Sequence, residues 1–236
     1  TVVDLNGDKR PDLIVANRSS NPANPRPSFV CLNDGNGGFP SCAPLATQSA
    51  TIIVAADLDG DGSIDLFVPH RDGGQNLIFW NDGSGRFTAA PANVGPAKSQ
   101  IRAAAAADVN GDGIPDLVVG DEQNGMFLYF GAGKRGYEAP VALGADAGAP
   151  YSIGLADMNR DGRVDIVVGR QEARGSVFYN EGGAKPRFSE TAWNDGKGSV
   201  YGVAIGDLDG DGWPDIAAAR SEAPNGIWFS GPKARQ

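Results

Sequence analysis

Residues 57–69 read DLDGDGSIDLFVP, an acidic loop that runs straight into an apolar segment. Carboxylates stand at the first, third, fifth and ninth places, Asp57, Asp59, Asp61 and Asp65, and Gly60 and Gly62 sit where the backbone must turn hardest. Four near-copies accompany it: DLNGDKRPD at 4–12, DVNGDGIPD at 108–116, DMNRDGRVD at 157–165 and DLDGDGWPD at 207–215. Successive starts are 53, 51, 49 and 50 residues apart. One Asp- and Gly-rich loop is most often a solvated turn. Five at a nearly fixed period define a repeat architecture in which each unit carries its own loop.

The loops have the composition of hard-cation sites. The oxygen side chains are Asp4, Asn6, Asp8 and Asp12; Asp57, Asp59, Asp61 and Asp65; Asp108, Asn110, Asp112 and Asp116; Asp157, Asn159, Asp161 and Asp165; and Asp207, Asp209, Asp211 and Asp215. With a backbone carbonyl near the seventh place (Arg10, Ser63, Ile114, Arg163 or Trp213) and a water, each set supplies the six to eight oxygens that Ca²⁺ takes. No loop holds Cys or His, which disfavours softer metals, and Mg²⁺ demands a stricter octahedron. The expectation is up to five structural Ca²⁺ ions. An EF-hand is excluded, because it needs a glutamate at the twelfth place and flanking helices, whereas Val15, Val68, Val119, Val168 and Ala218 stand there in β-prone runs. Lys9 and Arg160 replace loop glycines, so the first and fourth loops are expected to bind more weakly.

Outward from the loops, the sequence repeats as strands. Small-residue or apolar runs precede them (51–56, 101–107, 151–156, 201–206, with a stub at 1–3), and DLIVA, DLFVP, DLVVG, DIVVG and DIAAA follow. A third run comes next: SFVCLN, NLIFWN, GMFLYF, GSVFYN and GIWFS. In four units a glycine-rich turn then leads to a fourth segment near Phe39, Phe87, Tyr137 and Phe188. Short Val-, Ile-, Phe- and Tyr-rich runs broken by Gly, Asn and Asp are β-meanders. Ala103–Ala107 would favour helix alone, but it aligns with the other first strands and is read as strand. Four antiparallel strands in about 50 residues, repeated radially, describe a β-propeller blade. The expected fold is therefore an all-β propeller over residues 1–236, with blades near 1–47, 48–96, 97–146, 147–197 and 198–236. Calcium-binding β-solenoids repeat at shorter periods. The larger aromatics of strands three and four, among them Phe79, Trp80, Phe127, Tyr129, Phe178, Tyr179, Trp228 and Phe229, are expected to pack between blades. The first unit begins inside its first strand and the fifth stops before a fourth, which leaves open a small five-bladed ring or a fragment of a larger propeller.

The D-x-[DN]-G-D-G-x-x-D loop, the D-[LI]-x-V-x strand after it and the turns Asn33-Asp34-Gly35-Asn36-Gly37-Gly38-Phe39 and Asn81-Asp82-Gly83-Ser84-Gly85-Arg86-Phe87 together resemble the FG-GAP/VCBS family, whose blades also build the integrin alpha head. The turn motif is degraded at Asn180-Glu181-Gly182-Gly183 and nearly lost in the last unit. The resemblance implies a propeller with calcium in the hairpin between strands one and two. It also implies roles as adhesion heads, lectins or scaffolds in some polysaccharide lyases, usually with seven or eight blades.

Composition narrows the function. The motifs hold 17 of the chain's 29 acidic residues, and five Ca²⁺ would carry the formal charge from −9 to +1, so the acidity is explained locally. Lysines and arginines are scattered without a basic block, which argues against nucleic acid, and no apolar run reaches membrane-spanning length. Cys31 and Cys42, eleven apart in the first unit, suit a disulfide, the alternative being two separate thiols. Calcium loops of this type fill at extracellular calcium levels, which points to a secreted or cell-surface protein. Because the loops join strands one and two, the other rim collects the candidate ligand residues His70, Arg71, Arg102, Tyr151, Arg170, Glu172, Tyr201, Arg220 and Glu222. Tyr, Arg and Glu there can grip sugars or acidic groups through stacking and bidentate pairing. No catalytic residue is assigned: GxSxG, HExxH and Cys–His arrangements are missing, and the single histidine, His70, has only Arg71 beside it. A non-catalytic module binding carbohydrate or protein is the leading expectation. A structural or adhesion segment of a larger extracellular protein comes next, and a polysaccharide lyase scaffold last.

Overall fold

The computed structural model describes residues 1–19, 21, 23–88, 92–144 and 148–231. They form five antiparallel sheets and no helix. Blade one comprises β1 (Val2–Val3), β2 (Asp12–Val15), β3 (Ser28–Cys31) and β4 (Cys42–Leu45). Blade two has β5 (Val54–Ala56), β6 (Asp65–Val68), β7 (Gly74–Phe79) and β8 (Ala92–Ser99). Blade three has β9 (Ile101–Ala107), β10 (Asp116–Asp121), β11 (Gly125–Tyr129) and β12 (Val141–Leu143). Blade four has β13 (Pro150–Ala156), β14 (Asp165–Arg170), β15 (Ser176–Asn180) and β16 (Phe188–Ala192). Blade five has β17 (Ser199–Gly206), β18 (Asp215–Ser221) and β19 (Gly226–Trp228). Each is an up-and-down meander in chain order, and first strands meet along the inside, β5 with β9, β9 with β13 and β13 with β17. The alanine run is strand β9, paired residue for residue with β10 from Ala107↔Asp116 to Ala103↔Gly120.

The second strands of blades two, three and four are sealed on both faces: Leu66, Phe67, Val68, Leu117, Val118, Val119, Ile166, Val167 and Val168 are all fully buried. Alternate residues therefore feed different interfaces. Leu66 and Val68 pack with blade one (Leu5, Ile14, Val30), while Phe67 packs with Leu117 and Val119 of blade three. Val118 joins Ile166, Val168 and Phe178, and Val167 joins Ile216 of blade five. Burying such a side chain contributes roughly 1.5–3 kcal/mol, so the cohesion of the molecule lies between blades. Phe79, Trp80, Tyr129 and Phe178 are buried in these seams as expected. Phe229 is 61 % exposed, together with Leu208 and Ile227, because they occupy the face of blade five that no described blade covers.

The fourth segments begin later than the aromatics suggest. Phe87 and Tyr137 make single bridges to Asn81 and Gly131, and Phe39 lies in an unpaired stretch; β4 starts only at Cys42 and β12 only at Val141, while residues 89–91, ahead of β8, lie outside the described residues. Pro40 and Pro140 follow two of these aromatics; lacking an N–H, they delay pairing. Blade four has no proline after Phe188, and β16 begins there. Cys31 and Cys42 face each other across β3 and β4 and are disulfide-bonded.

Candidate functional site

Each acidic loop closes around the carboxylate that opens it. Asp57 accepts the N–H groups of Gly60, Asp61 and Gly62 at 2.8–3.1 Å. Asp108 does the same for Gly111, Asp112 and Gly113, Asp207 for Gly210, Asp211 and Gly212, Asp4 for Asn6, Gly7 and Lys9 and Asp157 for Asp161 and Gly162. The fifth-place carboxylates Asp8, Asp61, Asp112, Asp161 and Asp211 accept the N–H of Arg10, Ser63, Ile114, Arg163 and Trp213.

The ninth-place aspartates Asp12, Asp65, Asp116, Asp165 and Asp215 are completely buried. One oxygen of each accepts the N–H of the loop's second residue, Leu5, Leu58, Val109, Met158 or Leu208. The other accepts an N–H just past the third strand, from Asn33, Asn81, Gly131, Asn180 or Ser230. These aspartates therefore tie each loop to its own blade. Burial pushes the Asp65 carboxyl up to about 6, with the charges of Asp59 and Asp61 adding to it, and burial raises Asp116 and Asp165 as well.

Two groups of carboxylates converge closely enough to share an ion: Asp57, Asp59 and Asp61, and Asp207, Asp209 and Asp215. An all-oxygen donor set of like charges fits a hard cation. In the other three loops the third place is an Asn, and Asn110 and Asn159 donate to Asp112 and Asp161. Arginines also reach the loops. Arg10 pairs with Asp8 at 2.6 Å, Arg163 pairs with Asp161, and Arg135 of blade three crosses to Asp59 of blade two at 2.6 Å while stacking over Trp80. Arg135 carries no motif signal. Lys9 and Arg160 take positive φ, 65° and 60°, where the other loops have glycine.

The opposite rim is built by bulges. In β9, β13 and β17 the register against the second strand shifts by one residue, leaving Arg102, Tyr151 and Tyr201 as the inserted residues. A bulge re-aims its extra side chain, and these three converge. The Arg102 guanidinium lies 3.6 Å from the Tyr151 ring centroid and 5.1 Å from that of Tyr201, and the two rings meet edge-on at 5.2 Å. Arg102 Nη1 donates to Glu122 Oε1 at 2.9 Å, and Arg71 holds the same carboxylate through Nε and Nη2 at 2.9 and 2.7 Å. Arg18 and Asp72 extend the rim as a second bidentate pair, with Ser49 donating to Asp72. Glu122, which the alignment of the repeats also places on this rim, is the centre of the arrangement. The available signal was register: Arg18, Arg71 and Glu122 stand at the same offset in successive repeats, with a change of sign.

The remaining candidates lie elsewhere. His70 is 1 % exposed; its Nε2 accepts the N–H of Gln48, and burial lowers its pKa. Arg170 is equally buried and donates to the Gly148 carbonyl. Arg220 is held by Asp195 and the Pro224 carbonyl and stacks over Trp228. Glu172 and Glu222 are exposed at positive-φ turns. Burial lifts the Tyr151 phenol above its ordinary range, the wrong direction for a base at neutral pH.

An FG-GAP-like repeat model matches residues 4–68, 57–119, 108–168 and 157–218, so the chain belongs to that family. Such repeats form structural, non-catalytic domains, and these residues build a repeat domain of that kind. No curated protein matches the sequence. Among solved structures, the chain is similar to an Agrocybe aegerita lectin that recognises non-reducing terminal N-acetylglucosamine (18 % identity, TM-score 0.57, 92 % of this chain and 59 % of the other). It is also similar to the V. cholerae biofilm matrix protein Bap1 (20 %, 0.52, 92 % and 33 %) and to BBS1N solved in complex with ARL6DN (12 %, 0.59, 99 % and 67 %). The chain thus spans about three-fifths of the lectin and a third of Bap1. At these identities the likeness carries the propeller fold.

Proposed function

We propose that residues 1–236 form one calcium-stabilised, non-catalytic propeller domain of an extracellular protein, binding a glycan or protein ligand on the rim opposite the acidic loops. The observation that carries the reading is the use of three successive bulges to bring Arg102, Tyr151 and Tyr201 to one point. Strand pairing alone gains nothing from an extra residue, whereas a binding face gains an aromatic and a cationic group held on rigid strands.

Calcium would be held by the first-, third- and fifth-place side chains, the seventh-place carbonyl and the remaining lone pairs of the buried ninth aspartate. When bound, the ion supplies charge neutralisation that folds and stiffens each loop. The disulfide between Cys31 and Cys42 supports an oxidising compartment, as do the extracellular calcium level such loops need and the likeness to a lectin and a biofilm matrix protein.

The test is a glycan array and a panel of extracellular proteins probed with the calcium-loaded chain and its Tyr201→Ala variant. Ligands lost in the variant at unchanged melting temperature support the rim, and binding indifferent to Tyr201 removes it. The exposed Leu208, Ile227 and Phe229, with Val2 and Val15 on blade one, favour a second reading, in which these five blades are a structural or adhesion segment of a larger extracellular protein.

A further inference from the structure

Guanidinium groups on the bulge rim outnumber the carboxylate that meets them. We propose that this rim takes an anionic saccharide, with the acid group on Arg102 and the sugar face on Tyr201. The proposal rests on the reading of the rim as the ligand face. Arg71 turns its Nε–Nη2 edge to Glu122, whereas Arg102 gives the same carboxylate only Nη1. One carboxylate thus serves two guanidiniums, and the triad keeps one formal positive charge while its side chains are only 15–20 % exposed.

The Nε–Nη2 edge of Arg102 has no protein acceptor among the hydrogen bonds of the described residues, and neither nitrogen is sealed from solvent. That edge presents the parallel pair of N–H groups that a carboxylate takes in bidentate fashion. Stacking on Tyr151 at 3.6 Å fixes its plane before any ligand arrives. Other arginines nearby are engaged: Arg18 is matched one-to-one by Asp72, and Arg220 by Asp195.

Tyr201 supplies the second half of the site. It is 53 % exposed and 5.1 Å from the same guanidinium, so a flat, amphipathic ring lies beside a free cationic edge. A sugar acid carries a carboxylate directly on a ring whose C–H face can lie on an aromatic side chain. An acidic peptide offers the charge on a flexible arm, without that face.

The experiment is calorimetry on the full chain in saturating calcium with three probes: a uronic-acid oligosaccharide, its carboxyl-reduced neutral counterpart and an oligo-glutamate of equal charge. The uronate is expected to bind roughly tenfold more tightly than the neutral form and to weaken with salt. Arg102→Gln should remove that advantage, Arg102→Lys should restore only part of it, and Tyr201→Ala should weaken both sugars; calcium-loaded melts certify that each variant folds. Equal affinity for acid and neutral sugars, with Tyr201 still required, overturns the anionic class and leaves the rim intact. Indifference of every sugar to both residues overturns the rim itself. Oligo-glutamate binding as tightly as the uronate overturns the saccharide, and uronate binding that Arg102→Gln leaves unchanged assigns the acid to the calcium loops instead.

Discussion

Lys9 and Arg160 hold a left-handed backbone that three sister loops give to glycine at both places. An L-residue there costs about 1 kcal/mol, partly offset by the extra freedom that glycine has in the unfolded chain. Lys9→Gly and Arg160→Gly should each stabilise the calcium-loaded chain by about 0.5–1 kcal/mol, read as a rise of roughly 2–3 °C in melting temperature; a fall would mean that the side chains do work that outweighs the strain. His70 tests the interior. Its Nε2 is committed to the Gln48 N–H, and its flanking Arg71 and Asp72 turn away to Glu122 and Arg18. Burial lowers its pKa below the 6.5 of an ordinary histidine, so the unfolded chain takes up a proton that the folded chain refuses. The stability this contributes is full above about 6.5 and drains as pH falls through the folded value. Melts from pH 7.5 to 5 should therefore fall less steeply for His70→Gln than for the parent chain, and parallel curves would contradict the assignment.

At the scale of elements, the period of the acidic motif and the alternation after it were enough to read five meanders, because both are local and repeat. What crosses between blades was less legible. Asn81 and Asn180 open Asn-Asp-Gly and Asn-Glu-Gly stretches that read simply as turns, yet each is buried and works across a seam. Asn81 Nδ2 donates to the Leu5 carbonyl of blade one, and Asn180 Nδ2 to the Val109 carbonyl of blade three. Their Oδ1 atoms meanwhile accept the turn N–H groups of Gly83 and Gly85, and of Gly182. No spacing rule announces a partner 76 or 71 residues away. The rim candidates divided for the same reason. Tyr151, Tyr201, Arg71 and Arg102 meet because bulges and neighbouring inner strands bring them together, while His70 and Arg170, one register place away, point into the blades. Asn81→Ala and Asn180→Ala should each cost about 2–3 kcal/mol by stranding buried carbonyls and N–H groups. Asn33→Ala, whose Nδ2 bonds only the Pro11 carbonyl of its own blade at an exposed position, should cost less than half of that in the same denaturant titration.

For the whole molecule, the distribution of charge decides how stability is divided. Seventeen of 29 acidic residues lie in the five loops, and hydrophobic seams hold the blades that carry them, so the loops oppose folding unless something neutralises them. Arg10, Arg135 and Arg163 do part of this for the first, second and fourth loops. Each has a side chain more than two-fifths exposed, and such pairs are worth only about 0–1 kcal/mol. A divalent ion at a hundred times its dissociation constant adds about 2.7 kcal/mol per site. Several filled sites should therefore raise the melting temperature by on the order of 10 °C or more between chelator and excess calcium. The arginines and the ion compete for the same oxygens, which gives the comparison a direction. In chelator, Arg10→Gln and Arg163→Gln should lower the melting temperature slightly. In calcium they should leave it unchanged or raise it, with calorimetric affinity at those loops increased roughly two- to fivefold. A melt that ignores calcium in the parent chain would mean that the acidic loops are held by their own backbone N–H groups and arginines alone. Variants that lose stability equally in both conditions would mean that the arginines are part of the fold and do not stand in for an ion.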